Sequence, residues 1–345
     1  MRPMRDYRID LLRFVGLVMI VFAHAGPPDV LFQLRNYDVP LMVLISGMSF
    51  AIAFKPQESY LQYVWKRVKR LVFPVWIFLT GYFLVLYLIN PEAKELAQKT
   101  IVNSYSLLEG SIGFVWIIRV FLLVALTAPL IYRGFQKRWS DNFYLFILLV
   151  AAVVYEFGHP LIAPYIPGRF VREISAVVFY IVPYSLVFAL GLVVPKLSIR
   201  KNRLLGASFL AVFGAIAFHL FQVEGTFVTT QTFKYPPRAY YFSYAIAISL
   251  FLWTISNKLW SVVKRVGLVK ETILFMAQNS MWIYLWHIPL VKTLPEDLFF
   301  VWRFVIFLAI ATLLTWAQSW LVHNVLMTRT HNTQLKKNLR SLLTG

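Results

Sequence analysis

The feature that most constrains this chain is a recurrence of apolar runs, each near the ~20 residues that a helix needs to cross a bilayer. Ten can be read, over 8–25, 38–54, 71–89, 114–132, 143–158, 174–194, 204–222, 240–256, 272–291 and 299–325. Polar or Pro/Gly-rich connectors such as "AGPPDVLFQLRNY" and "GHPLIAPYIPGR" separate them. Of the 345 residues, 59% are hydrophobic and only 14% charged, and the mean hydropathy is +0.66. A soluble chain of this length would carry many more charges. The expected class is therefore all-α: a polytopic membrane helical bundle of about ten transmembrane helices, forming one integral-membrane domain over residues 1–345. No soluble domain, low-complexity tract or internal repeat is evident. The first run has a basic start but no small-residue cleavage site, and similar runs follow it, so it is not a signal peptide. Cysteine is absent, which excludes disulfides, a thiol nucleophile and cysteine-built zinc sites.

The formal charge of +19 invites a nucleic-acid reading, and its placement argues against one. Of the 34 Lys and Arg, 23 lie in the N-terminal stretch taken through Arg8, the even-numbered connectors and the C-terminus, and eight in the odd-numbered connectors. Examples of the first group are "KRVKR" (66–70), "RGFQKR" (133–138), "PKLSIRKNR" (195–203) and "VKRVGLVK" (263–270). This asymmetry predicts both termini in the cytoplasm, with the basic loops held against anionic lipid of the inner leaflet. A nucleic-acid site needs a contiguous basic face instead. The topology also gives each residue a depth. Arg13 falls in the inner half of the first span, and His24, His159, His219 and His287 share the outer level.

The first span, "RIDLLRFVGLVMIVFAHA", holds two charges and an imidazole. Arg13 and His24 are eleven residues apart, about 20° off three full helical turns and roughly 16 Å apart along the axis. Asp10 stands three residues before Arg13 and can pair with it. One stripe thus carries Asp10, Arg13 and His24, and such a stripe should face the bundle interior or a wet cavity rather than lipid. The same residues admit a structural reading, in which Asp10 and Arg13 form an interfacial ion pair and His24 ends the helix before "GPP".

Three further constellations stand out. In "YVWKRVKRLVFP" (63–74), Lys66, Arg67 and Arg70 share a helical face with Lys69 beside it, while Tyr63 and Trp65 suit the membrane interface. Guanidinium forks there would suit phosphate oxygens; lipid anchoring is the alternative. In "FMAQNSMWIYLWHIPLV" (275–291), Ser280, Tyr284 and His287 fall near one face, for either helix–helix hydrogen bonding or a functional site. Trp116 and Arg119 at the outer entrance of the fourth span, and Lys234 and Arg238 in the outer loop before the eighth, would line a polar acceptor's path or anchor the interface. No GxSxG, P-loop, GxGxxG or HExxH is present. The histidine spacings match no metal-ligand motif, and no metal is expected.

These residues resemble acyltransferase family 3, integral-membrane enzymes, mostly bacterial, that O-acylate polysaccharides, lipopolysaccharide O-antigens, peptidoglycan, macrolides and related acceptors. Arg8, Asp10, Arg13 and His24 are similar to the family's R-x-D-x-x-R opening with R-x10-H. "ISGMSF", with Ser46 and Gly47, resembles its small-residue element, though Met48 replaces the usual Phe. Arg67, Arg70 and Pro74 resemble its RxxR-before-Pro element. Trp116 to Pro129 resemble a further element, with Ile117 where an aromatic is common. Ser280, Ile283, Tyr284, Leu285, His287 and Pro289 resemble its late signature. The resemblance runs along nearly the whole chain, without the soluble esterase-like domain of some members, and it is nearest to the branch that O-acetylates sugars and exopolysaccharides.

The resemblance implies an acyl-CoA donor, by default acetyl-CoA, a glycan or lipid-linked sugar acceptor, and residence in the bacterial cytoplasmic (inner) membrane. On that footing the donor's phosphates would dock on Lys66, Arg67 and Arg70, and its thioester arm would enter past Asp10 and Arg13. His24 would take the acceptor's proton as general base or carry the acyl group as a relay. Arg13 would bind the donor or steady the oxyanion. His287, Tyr284, Ser280, Trp116, Arg119 and Arg238 would bind the acceptor, with His287 able to orient the catalytic imidazole instead. The competing class is a flippase or transporter of lipid-linked or polar sugars, for which inverted repeats would be expected.

Overall fold

A computed structural model describes residues 5–54, 59–108, 110–136, 139–162 and 169–344. The expected connector residues 163–168 and the basic residues Lys55, Lys137 and Arg138 lie outside this set. Among the described residues there is no strand. The helices are α1 (Tyr7–His24), α2 (Asp29–Leu34), α3 (Asp38–Ala53), α4 (Tyr60–Leu71), α5 (Phe73–Ile89), α6 (Gln98–Tyr105), α7 (Trp116–Phe135) and α8 (Asp141–Ile162). They continue as α9 (Arg169–Val193), α10 (Ile199–Glu224), α11 (Ala239–Val263), α12 (Gly267–Gln278), α13 (Ser280–Thr293), α14 (Phe300–Leu321) and α15 (Thr333–Leu343).

Local chemistry sets many of the ends. Ser59, Ser198 and Asn332 cap α4, α10 and α15, their side-chain oxygens accepting from Gln62 N, Lys201 N and Leu335 N at 3.3, 3.2 and 3.0 Å. Gly225 takes the left-handed φ of +70° that terminates α10.

Among the described residues, eight helical stretches are long and apolar enough to cross a membrane. They correspond to eight of the ten expected spans. The first expected span, α1, is helical throughout but carries Arg8, Asp10 and Arg13. The ninth is not one helix: it breaks at Asn279 into α12 and α13. In α8 and α10 none of the most apolar eighteen-residue window is buried by protein. Side chains such as Phe157 and Phe218, 69% and 65% exposed, would face water in a soluble protein, and an apolar surface of that extent needs lipid.

The chain divides into two compact units. The first comprises residues 1–19, 28–56 and 126–271, and the second residues 20–27, 57–125 and 272–345. In the first, α3 and α9 meet at backbone contact. A Cβ on Gly47 would lie 2.2 Å from Phe188 O, and one on Gly191 2.1 Å from Leu44 O. Only glycine fits at either position, which gives the "ISGMSF" stretch a packing role. In the second unit, α13 packs on α14 and α5, and α15 packs on α4 and α5. The chain crosses between units within α1.

Candidate active site

Helix α1 ends where the sequence requires. Gly26 adopts φ +74°, a left-handed stop that a residue with a Cβ resists, and Pro27 and Pro28 follow. The last helical residue is His24. The Arg303 guanidinium donates from Nη1 to Ala25 O at 3.3 Å, so a cation satisfies an open carbonyl at the helix's negative end. A Cβ at Gly26 would come within 3.1 Å of that nitrogen.

In the second unit His24 meets His287. His24 Nδ1 lies 2.8 Å from His287 Nε2, and the rings stack at 5.0 Å. His287 is fully buried, and its Nδ1 donates to the backbone oxygen of Tyr284. These contacts determine the tautomers of the neutral pair. A carbonyl only accepts, so the proton of His287 sits on Nδ1 and its Nε2 accepts. His24 must then donate from Nδ1, which leaves the Nε2 lone pair as its basic one. The Tyr284 hydroxyl donates to the backbone oxygen of Phe114. The Phe114 ring meets His24 edge-on at 4.6 Å and His287 at 5.9 Å. Phe114 has φ +61° and follows Gly113 at +87°, a backbone state that costs a non-glycine residue of order 1–3 kcal/mol. Tyr284 holds that turn over the two imidazoles.

Asp10 and Arg13 pair within α1 in the first unit, Arg13 Nη1 to Asp10 Oδ1 at 3.4 Å. Arg13 Nη2 also donates to Ser49 Oγ on α3 at 3.1 Å, and Arg5 Nε donates to Asp10 Oδ2 at 2.6 Å. The helix is unbroken from Arg13 to His24, so the eleven-residue spacing does set both on one helical face.

The other expected site residues are distributed more widely. Ser280 opens α13, about 10 Å below His287 along the axis, and so lies apart from the imidazole pair. Trp116 opens α7 two residues after Phe114, and Arg119 follows one turn later; both are half-buried. Arg238 belongs to the first unit and binds Glu156 there, Nη2 to Oε1 at 2.8 Å, with Nη1 3.5 Å from His159 Nδ1. An acceptor would have to compete with that carboxylate. Lys66, Arg67 and Arg70 lie on α4. Tyr63 is buried, and the Arg67 guanidinium lies 5.0 Å from its ring. Among the described residues no group of three or more His, Cys, Asp or Glu side chains is placed to hold a metal ion.

Phe114 and Arg303 escaped the sequence reading. The Gly-Phe step before α7 was a weak signal for the first. Arg303, a lone cation at the outer start of an apolar span, was a better signal for the second.

The family described as "Acyltransferase domain", acyltransferase family 3, matches residues 6–323. No curated protein and no solved structure matches the chain. The match covers both compact units and nearly the whole sequence, and the chain belongs to this family. It is an integral-membrane acyltransferase.

Proposed function

We propose that this member of acyltransferase family 3 moves an acetyl group from cytoplasmic acetyl-CoA to a hydroxyl of a glycan or glycolipid at the outer face, with His24 as general base. The observation that carries the reading is the His24–His287 hydrogen bond of 2.8 Å, anchored at its far end on Tyr284 O. The arrangement repeats the logic of a catalytic base held by an orienting partner, with a neutral imidazole as the partner. Its tautomer sets the basic lone pair on His24 Nε2.

The acceptor hydroxyl gives its proton to His24 Nε2 as its oxygen attacks the thioester carbonyl. The resulting oxyanion collapses, the carbon–sulfur bond breaks, and the CoA thiolate leaves with the proton from the imidazolium. His287 Nε2, accepting from His24 Nδ1, stabilises the positive ring between these steps. Phe114 and Tyr284 close one side of the pair and limit the water that would otherwise hydrolyse the thioester. The donor's phosphates suit Lys66, Arg67 and Arg70 on α4. Arg13, steadied by Asp10 and Ser49, is the cation on α1 that we assign to the donor.

Purified protein incubated with radiolabelled acetyl-CoA and a membrane or glycan extract tests the reading. Label should appear in the acceptor fraction. Movement of a polar sugar across the bilayer without label transfer would select the flippase class instead.

A further inference from the structure

The break in the ninth expected span opens a second site. Asn279 interrupts the helix between α12 and α13, and its side-chain amide donates to Phe275 O at 2.8 Å. Facing it, α14 runs into a π-helical turn over Val322–Leu326. Irregular backbone at membrane depth persists where it lines a cavity, and π-turns gather at functional sites. A cavity of about 390 Å³ does lie there, between these elements and the end of α15. It is on the side that the basic loops assign to the cytoplasm.

The lining is polar and short of charge. Asn279, Ser319, His323, Asn324 and Arg340 contribute to it, and among the described residues Arg340 is its only permanently charged side chain. His323 donates from Nδ1 to Ser319 O at 2.8 Å, which leaves Nε2 for a ligand. Asn324 uses its amide nitrogen on Trp320 O at 3.0 Å and keeps its oxygen. The C-terminal helix is docked so that Arg340 stays at the site: Trp282 Nε1 donates to Leu342 O at 3.0 Å and Gln318 Nε2 to Leu343 O at 2.7 Å. Trp316 and Trp320 form the outer rim, 57% and 52% exposed. Half-exposed indoles at this level mark the boundary between headgroups and acyl chains.

We infer that this cavity binds the phosphate of an anionic phospholipid from the inner leaflet. One guanidinium matches a singly charged phosphodiester, neutral amides and an imidazole suit its remaining oxygens, and the indole rim suits a glycerol backbone with acyl chains. A nucleotide donor carries several charges, and a single cation meets them poorly. The site is also distinct from the His24–His287 pair: Ser280 at its edge is about 10 Å from His287 along α13. Occupancy would hold α15 against α13, the helix that carries His287.

The test is native mass spectrometry of the full-length protein with phosphatidylglycerol, phosphatidylcholine, inorganic phosphate and coenzyme A as probes. Phosphatidylglycerol should bind more tightly than phosphatidylcholine. Arg340→Gln should weaken it about fivefold, Asn324→Leu should weaken it less, and Lys337→Gln, on the same helix but outside the cavity, should leave it unchanged. Equal loss in Arg340→Gln and Lys337→Gln would reduce the effect to general surface charge and overturn the site. Displacement of the lipid by phosphate or coenzyme A at similar concentration would overturn the lipid as its ligand. Neither outcome bears on acyl transfer at His24.

Discussion

Each compact unit buries a polar cluster, one around Asp38 and one at His24 and His287, and these two are built on opposite plans. In the first unit, Arg35 Nη1 donates to Asp38 Oδ2 at 2.8 Å, and Lys234 Nζ lies 4.0 Å from Asp38 Oδ1 and donates to Asn36 Oδ1 at 3.1 Å. Asn36 in turn donates to Thr230 Oγ1 at 2.9 Å. Asp38 opens α3, where the helix dipole favours its charge. Two cations there share the Asp38 carboxylate and join α3 to the outer loop. In the second unit the cluster is a pair of imidazoles, His24 Nδ1 against His287 Nε2 at 2.8 Å. A buried pair of opposite charges secures geometry, and losing one partner strands the other. A neutral imidazole pair can gain and release a proton without rearranging its neighbours, which is what acyl transfer requires.

Substitutions at the two clusters should therefore separate stability from activity. His24→Ala should lower acyl transfer by about 10²–10⁴-fold with little change in thermal unfolding; a variant that unfolds instead would place His24 with the structural cluster. Asp38→Ala should do the reverse, costing about 3–5 kcal/mol by leaving the Arg35 and Lys234 charges uncompensated, read as a large fall in melting temperature. His287→Leu should slow transfer by about 10–100-fold through the lost buried hydrogen bond. Tyr284→Phe should slow it by about tenfold or less, since it only frees the Phe114 turn.

The first unit's cluster also predicts a pH slope. Burial pushes the Lys234 ammonium down to about 8, from an ordinary value of 10.5, with Asp38 opposing the shift and Arg35 adding to it. Between those values the unfolded chain holds a proton that the folded chain has released, so stability should rise with pH across the window. Thermal unfolding of Lys234→Met should lack the rise.

What the sequence made legible was whatever lies within one helix. The Asp10–Arg13 pair, the shared face of Arg13 and His24, and the stop at Gly26 follow from local spacing. Depth was also legible, because charge asymmetry placed His24 and His287 at one level. Their contact was not, since 263 residues separate them and depth says nothing about direction around a bundle. The same reason hid Ser49 as the partner of Arg13 and Arg303 as the cap of α1. Lys234 was read as lining an acceptor's path or anchoring the interface, because its buried position depends on Asn36 and Asp38, nearly two hundred residues earlier. The break at Asn279 was hidden because the polar step Gln278–Asn279–Ser280 within 272–291 reads the same whether it hydrogen-bonds a neighbouring helix or ends its own.

The central claim is that His24 and His287 act as one base. Acetyl-transfer rates for the wild type, His24→Ala, His287→Ala and the double variant test it most directly. Residues that work as a unit lose activity non-additively, so the double variant should be no slower than His24→Ala alone. If instead the two losses multiply, His287 contributes independently of His24, and the pair is not the catalytic unit described above.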